Sequence, residues 1–336
     1  MNKLYVVGIG PGAYEKMTIE ASQALQKSDV IIGYTVYVDL VRNHFPGKEF
    51  MTTPMKKEVD RCVLAFEEAM KGKTVSMICS GDAGVYGMSG LMYEVGVKYP
   101  EVELEIIPGV TAATGGAAVL GAPLIHDFCL ISLSDLLTPW EKIEARLLGA
   151  SQADFVICLY NPSSKKRHDY LEKACTLMMK YKSPDTVCGI VGNIGREGES
   201  MQVMTLEELK NTGVDMFTTV FVGNSQTKEI NGKMVTPRGT KMCKVIIFAG
   251  TTEGRQIAEF LNRRKISALI CVATEYGEQL LPASDTLDVS HNRLSEPEME
   301  SLMREKGSPL VLDATHPYAA EVTENIRKAC EQTGSP

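Results

Sequence analysis

Positive charge, histidine and paired cysteines are all scarce in this chain of 336 residues, and each shortage excludes a class of function. Lys and Arg number 35 against 42 Asp and Glu, a net charge of −7. A protein that grips nucleic acid needs a basic face for the phosphates, so no nucleic-acid partner is expected. The one compact basic cluster, Lys165-Lys166-Arg167, reads either as a solvated helix start or as a contact for ligand carboxylates. Nine cysteines are scattered along the chain without a C-x-x-C pair. Their odd number and apolar neighbours fit reduced, buried thiols rather than disulfides or zinc ligands, so no metal site is expected. Long apolar runs are also missing. Val110–Ile125, the longest small-and-apolar stretch, is Gly-rich and falls short of the roughly 20 residues that cross a bilayer. The opening Met1-Asn2-Lys3-Leu4-Tyr5-Val6-Val7 meets Gly-Pro-Gly too soon for a signal h-region. The expectation is a soluble, cytoplasmic protein with no membrane partner.

What the chain does have is three turn-forming segments, each following a run that reads as a buried strand. They are Gly8-Ile9-Gly10-Pro11-Gly12, Ser80-Gly81-Asp82-Ala83-Gly84-Val85-Tyr86-Gly87 and Pro108-Gly109-Val110-Thr111-Ala112. Glycine at a strand end lets backbone approach a ligand closely. Three such ends side by side on a parallel sheet build a cleft at the carboxyl ends of the strands. The first segment is not the dinucleotide fingerprint G-x-G-x-x-G, because Pro11 removes an amide donor and fixes φ.

The pattern around these segments is α/β. Leu4–Ile9, Val30–Gly33, Val75–Cys79 and Glu103–Ile107 read as strands, and Thr18–Lys27, Lys57–Lys71 and Met88–Val97 as helices, an alternation typical of a parallel sheet. The pattern breaks between Cys129 and Leu137. It resumes with a strand at Phe155–Tyr160 and a helix at His168–Tyr181. Thr186–Val191, Ser200–Thr205 and Thr218–Val222 follow as strands, with a short helix at Leu206–Asn211. Strands now dominate, which implies a second, mixed-sheet lobe with the junction near residues 120–128. Pro237-Arg238-Gly239-Thr240-Lys241 is a polar break, after which the pattern begins afresh. Lys244–Ala249, Ser267–Ala273 and Pro309–Asp313 read as strands, Gly250–Arg255 as a turn and Gln256–Asn262 as a helix. The expected domains are 1–239, with lobes of about 1–122 and 123–239, and 243–336.

The three Gly-rich segments resemble the tetrapyrrole methylase family, which uses S-adenosylmethionine. Gly121–Phe128, Ile131–Trp140, Leu159-Tyr160-Asn161-Pro162-Ser163-Ser164 and Phe221-Val222-Gly223-Asn224-Ser225 are similar to its precorrin-3B C17-methyltransferase branch in cobalamin biosynthesis. The likeness covers about residues 3–237, and the long motif near 121–140 makes it specific. Ala83 departs from the family's usual Gly-Asp-Pro. Gly250–Arg255 and Asp313–Tyr318 resemble the amino-terminal part of a precorrin-6A reductase, so a truncated fusion with a partial Rossmann-like α/β unit is expected, without reductase activity of its own.

The resemblance implies a two-lobe methylase, a parallel-sheet lobe and a mixed-sheet lobe with the cofactor between them, a tetrapyrrole substrate and a homodimer. Methyl transfer asks for positioning and exclusion of water more than for acids and bases, so binding residues should outnumber catalytic ones. Asp82 reads as a helix cap or Asx-turn and as facing the positive methionine end of the cofactor, roles that can coexist, with Gly81, Gly84 and Tyr86 beside it. Thr111 reads as an ordinary N-cap or as a cofactor contact, with Ala112 small enough to admit the ligand. Tyr160 and Asn161 border the cofactor by resemblance. Gly192, Asn193, Gly223 and Asn224 are assigned to the same side, and Pro11 to the tetrapyrrole side. The reaction also contracts the macrocycle, which asks for acid–base help. His126 and Asp127 are the pair expected to give it, or else a structural pair at the hinge. Ser132, Ser134 and Asp135 are further candidates, and His44 and His168 read as surface residues. At 250–255, Thr251, Thr252 and Arg255 could hold the phosphate of NADP(H) at a helix N-terminus. The substrate with cobalt in the ring, and a non-catalytic carrier of corrinoid intermediates, are the alternatives.

Overall fold

Apolar residues at consecutive positions, as in Leu4–Ile9, belong to strands covered on both faces, and the computed structural model places them so. It describes residues 2–54, 57–163, 168–238, 243–273, 284, 286–307 and 309–336. Lys165-Lys166-Arg167 and Gly239–Lys241 lie outside the described residues. The chain divides into two compact units, 1–238 and 239–336.

The first lobe of unit 1 alternates strands β1 (Asn2–Gly8), β2 (Val30–Tyr34), β3 (Glu49–Thr53), β4 (Val75–Cys79) and β5 (Val102–Ile107) with helices α1 (Ile19–Lys27), α2 (Thr35–Val41), α3 (Glu58–Met70), α4 (Ser89–Gly96) and α5 (Ala112–Leu120). The strands form one sheet in the order β3-β2-β4-β1-β5, every pair parallel. Side chains alternate across it. Leu4, Val6, Ile32 and Met77 pack with Phe66 of α3 on one face, and Val7, Ile31 and Ile78 with Leu25 of α1 on the other.

The second lobe comprises β6 (Gly121–Ala122), β7 (Phe128–Ser132), α6 (Trp140–Gln152), β8 (Val156–Tyr160), α7 (Tyr170–Met178), β9 (Val187–Gly192), β10 (Ser200–Thr205), α8 (Leu206–Lys210), β11 (Thr218–Val222), β12 (Lys228–Ile230) and β13 (Lys233–Val235). Its five-stranded sheet has the order β10-β9-β11-β8-β7. β7 runs parallel to β8, whereas β11 is antiparallel to both β8 and β9. The mixed sheet is as the sequence pattern implies. The break expected from Cys129 is instead strand β7, an edge strand with Phe128 exposed and only Ile131 fully buried, so its periodicity is weak. A small third sheet, β12-β13-β6, ties Gly121 and Ala122 to the end of the unit.

The lobes share a core. Helix α5 packs on the second sheet through Ala113, Ala117 and Leu120 against Cys158, Val191, Ile194 and Phe221. Glycine lets it come close: a Cβ on Gly116 would meet the Phe221 ring at 2.9 Å and Ile194 at 3.0 Å.

Unit 2 is a parallel sheet, β16-β15-β14-β17, built from β14 (Val245–Ala249), β15 (Ala268–Val272), β16 (Leu287–Ser290) and β17 (Leu310–Ala314). Helix α9 (Thr252–Arg263) follows β14, and α10 (Glu296–Glu305) and α11 (Ala320–Thr333) pack on the opposite face. Helix α9 starts four residues before the expected Gln256, because Thr251 caps it by accepting a hydrogen bond from Gly254 N at 3.3 Å.

Phe221 is fully buried in the core the lobes share. Phe221→Ala should therefore lower the unfolding free energy by about 3–5 kcal/mol. Chemical denaturation measures it. A loss below about 1 kcal/mol would mean that α5 is held elsewhere.

Candidate functional site

All five strands of the first sheet point one way, so their carboxyl ends share one edge. There β1 lies between β4 and β5, which brings the three Gly-rich turns together. Gly10 and Gly81 form an antiparallel bridge, with N–H···O distances of 3.0 and 2.7 Å. A Cβ on Gly109 would lie 2.2 Å from the Gly81 carbonyl and 2.6 Å from that of Gly8. Only backbone fits between these turns. Asp82 locks them: its Oδ1 accepts from Gly84 N (2.7 Å) and Val85 N (3.1 Å), and its Oδ2 from Gly109 N (2.9 Å). Of the two structural readings of Asp82, helix cap and Asx-turn, this is the Asx-turn, with a staple to the third turn added. No side chain caps α4.

The second lobe closes over this edge. Tyr160, the last residue of β8, shares a hydrogen bond with Thr111 Oγ1 (2.6 Å), and its hydroxyl accepts from Ala113 N (2.8 Å). Thr111 occupies the N-cap position of α5 but makes no capping bond, since Tyr160 takes its hydroxyl. The Tyr86 ring lies 5.1 Å from that of Tyr160, and its hydroxyl donates to Leu130 O (2.8 Å). Asn161, at φ 52°, donates to Ser132 Oγ at 2.9 Å. Burial pushes the Tyr160 and Tyr86 phenols up from the usual tyrosine range, so both are neutral hydroxyls at neutral pH.

Strand direction decides what else reaches the edge. Thr218 pairs with Gly192 and Val220 with Leu159, so Gly192 and Asn193 lie at the Tyr160 end. Beyond them a turn carries Arg196 across to the first lobe. Its Nε donates to Pro11 O (3.1 Å) and one Nη to Ser80 Oγ (3.0 Å). Glu199 steadies that turn, accepting from Gly195 N (2.7 Å) and pairing with Lys16 (3.1 Å). Sequence reasoning missed Arg196, which stands in a polar Gly-Arg-Glu-Gly-Glu run that reads as plain loop. It also missed Tyr37 on α2.

Two expected pairs are elsewhere. β11 is antiparallel, so its carboxyl end, with Gly223 and Asn224, lies at the opposite edge from Tyr160, where Val222 pairs with Ile157. Asn224 is consumed by its own turn, accepting from Gln226 N and Thr227 Oγ1. Gly223 O accepts from the buried Lys182 at 2.9 Å. His126 and Asp127 precede β7 and share that far edge. Asp127 is five residues, or about 16 Å of strand, from Ser132. His126 Nε2 lies 2.8 Å from Pro237 O. The far edge is where these four residues stand because a strand's amino end, or an antiparallel strand's carboxyl end, faces away from the cleft. Ser134 and Asp135 follow β7 at the near end, with Asp135 accepting from Tyr170 at 2.6 Å. His44 and His168 are exposed.

In unit 2, β14 and β17 are neighbours, so Gly250 meets the Thr315–His316 backbone at its open Cα side, the nearest atom 3.5 Å from a Cβ placed there. Thr251 Oγ1 donates to Ala314 O (3.2 Å), and Arg255 donates to Thr252 Oγ1 (3.3 Å). Asp313 accepts from Thr315 N and Oγ1 at 3.0 and 2.6 Å. Among the described residues no group of His, Cys, Asp or Glu is placed to hold a metal ion, and no described helix is long and apolar enough to cross a membrane.

The tetrapyrrole (corrin/porphyrin) methylases match residues 3–210, and the precorrin-6x reductases CbiJ/CobK match residues 244–336. The probable cobalt-factor III C(17)-methyltransferase of Salmonella typhimurium is 47% identical over 237 residues, covering 70% of this chain and 98% of that protein. The cobalt-factor III methyltransferase of Priestia megaterium is 48% identical over 242 residues, covering 70% of this chain but only 45% of that longer protein. The crystal structure of the methyltransferase CobJ superimposes with a TM-score of 0.65 at 33% identity, over 70% of this chain and all of that one. The chain belongs to the tetrapyrrole methylases.

Asp82 accepts three backbone N–H groups, and an amide can accept through one oxygen only. Asp82→Asn should lower the unfolding free energy of unit 1 by about 1–3 kcal/mol, measured by chemical denaturation. Unchanged stability would mean that the turns hold together without the carboxylate.

Proposed function

We propose that residues 1–238 transfer a methyl group from S-adenosylmethionine to carbon 17 of a tetrapyrrole at the precorrin-3B stage of cobalamin biosynthesis, and that the cobalt-bearing form, cobalt-factor III, is the substrate. The observation that carries this reading is the closed edge itself, three turns in backbone contact, the first bridged to the second through Gly10 and Gly81 and the second stapled to the third by Asp82, faced by Tyr160, in a chain 47% identical to the Salmonella protein over 98% of that protein's length. Both relatives named above carry cobalt-factor III in their names, which favours cobalt over the metal-free precorrin-3B.

The residues at the edge suit S-adenosylmethionine. Gly84–Tyr86 in the second turn and Thr111, Ala112 and Thr114 at the start of α5 are half-buried to exposed, and the first N–H groups of a helix have no intrahelical partner. Ala112 leaves room beside them. The Tyr86 and Tyr160 rings, tilted by 54° to one another, give an apolar wall, and their neutral hydroxyls bring no charge against a sulfonium. When bound, this cofactor supplies a methyl group on positively charged sulfur, ready for attack by an electron-rich carbon. The protein's own part is to hold and align: Gly81, Gly84 and Thr111 shape the floor, Tyr160 fixes α5 against the second lobe, and Asn161 and Asn193 flank it. Closing the lobes excludes water, and alignment of the two reactants can supply several kcal/mol of the barrier.

Further parts of the reading concern assembly and the second unit. A homodimer in the cytoplasm fits the family. For residues 244–336, the helix N-terminus at α9, next to Gly250 and the Thr315–His316 turn, is a site for the phosphate of NADP(H), with Arg255 as its charge partner. The hydroxyls of Thr251 and Thr252 already serve within the turn, so backbone N–H groups would carry most of that contact.

Incubating the full chain with S-adenosylmethionine labelled in its methyl group, and with cobalt-factor III or precorrin-3B, tests the proposal. The expected product from cobalt-factor III carries one added methyl group by mass and label. Transfer to precorrin-3B alone would reverse the choice of substrate. No transfer to either would remove the proposal.

A further inference from the structure

Arg196 spends only part of its hydrogen-bonding capacity. A guanidinium has five N–H donors, and two are used, on Pro11 O and Ser80 Oγ. The other three have no partner among the described residues, and no described carboxylate pairs with this side chain. Its charge lies 5.6 Å from the Phe217 ring centroid and is partly buried. The Tyr37 phenol, on α2 at the same edge, also makes no hydrogen bond among the described residues. Its ring packs edge-on against Tyr34 at 5.3 Å. Tyr37 lies in the first turn of α2, at the exit of β2 and beside the exit of β4, where Ser80 holds Arg196, so the two groups stand at one edge. Burial pushes this phenol up from the usual tyrosine range, with the nearby Arg196 charge opposing it. A second cation, Arg61, is 5% exposed. Its described partners are all neutral: Thr53 Oγ1 at 2.8 Å, Pro54 O at 3.2 Å and Met88 Sδ at 3.9 Å.

Two cations with neutral partners at one cleft edge are unusual in a protein of net charge −7. Withdrawing a charge from water is costly unless an opposite charge meets it. Nothing described in the protein supplies that charge, so an anionic ligand group is what the site lacks. A planar fork with spare N–H groups on one side suits a carboxylate, held by two parallel hydrogen bonds, and the Tyr37 hydroxyl can donate a third. We infer that Arg196 and the Tyr37 hydroxyl form a carboxylate-binding site in the cleft, anchored to the first Gly-rich turn through Pro11. The inference rests on the proposed methyl transfer, which brings two carboxylate sources to this edge: the methionyl end of the cofactor and the acid side chains of the tetrapyrrole. Because Arg196 hangs from the second lobe and is bonded to the first, occupying it with a ligand carboxylate would also hold the lobes together around the reactants.

The test uses the full-length Arg196→Gln protein with three readouts. Calorimetry measures affinity for S-adenosylhomocysteine and for 5′-methylthioadenosine, which lacks the amino-acid end. Steady-state assays measure KM and kcat for the tetrapyrrole. If the site holds the cofactor carboxylate, S-adenosylhomocysteine weakens about tenfold or more while methylthioadenosine is unchanged. If it holds a substrate carboxylate, the tetrapyrrole KM rises about tenfold or more with both nucleosides unchanged. Either pattern supports the site. Equal weakening of both nucleosides, as from a loosened clasp, overturns it, and so does no change in any readout. Tyr37→Phe removes one oxygen and should show the same pattern at a smaller size, which keeps the test decisive if Arg196→Gln does not fold. Should the wild-type chain methylate no tetrapyrrole, the proposed function fails, and the carboxylate site is then decided by the two nucleoside affinities together with the calorimetric affinity for cobalt-factor III: Arg196→Gln weakening neither S-adenosylhomocysteine nor the tetrapyrrole overturns it.

Discussion

Everything at the cleft depends on three strand ends that touch through backbone alone. Gly8 and Gly109 stand so close to the Gly81 carbonyl that a Cβ on either would overlap it. The contact brings the exits of β4, β1 and β5 together and fixes where each following turn can go. Asp82 then takes the N–H groups that this tight chain would otherwise leave open, on its own turn and on the third. A carboxylate suits the task because it accepts at two oxygens and offers no donor. Ala83, fully buried within the turn, adds only a methyl group there.

Strand direction sets the second constraint, and it marks where sequence reading stopped. The parallel first lobe was legible because its strands are apolar on both faces and its helices are amphipathic, so both periods are plain. In that lobe every strand's carboxyl end is at one edge, and a Gly-rich strand exit is a sound pointer to the site. In the second lobe the same rule fails. Gly192-Asn193 and Gly223-Asn224 are the same dipeptide after similar apolar strands, and only the reversal of β11 sends one to the cleft and the other to the far edge. His126 and Asp127 stand out in the sequence for their chemistry, but they enter β7 rather than leave it. Strand β7 itself was hidden by its half-exposed edge position. Arg196 was hidden because a polar loop gives no periodic signal, and its reach to Pro11 spans 185 residues of sequence.

The two edges of the second sheet differ in chemistry as well as in place. At the far edge Lys182 is buried and satisfied by the carbonyls of Phe155 and Gly223, with Asp154 at 3.6 Å. Its polar atoms hold turns together, and a ligand would find no open group among these. At the near edge are neutral phenols, amides on left-handed turns, and a guanidinium with donors to spare. Neutral hydroxyls and open backbone groups tolerate a sulfonium, while the cation complements an acid. That combination suits a reaction in which the protein positions two ligands and contributes little covalent chemistry.

A crystal structure of the full chain with S-adenosylhomocysteine bound tests this account most directly. The nucleoside is expected at the near edge, between the Gly81–Tyr86 turn and the Thr111–Tyr160 contact, within reach of the Gly-rich exits of β1 and β5. Density for the ligand at the far edge, beside His126 or Asn224, would contradict it.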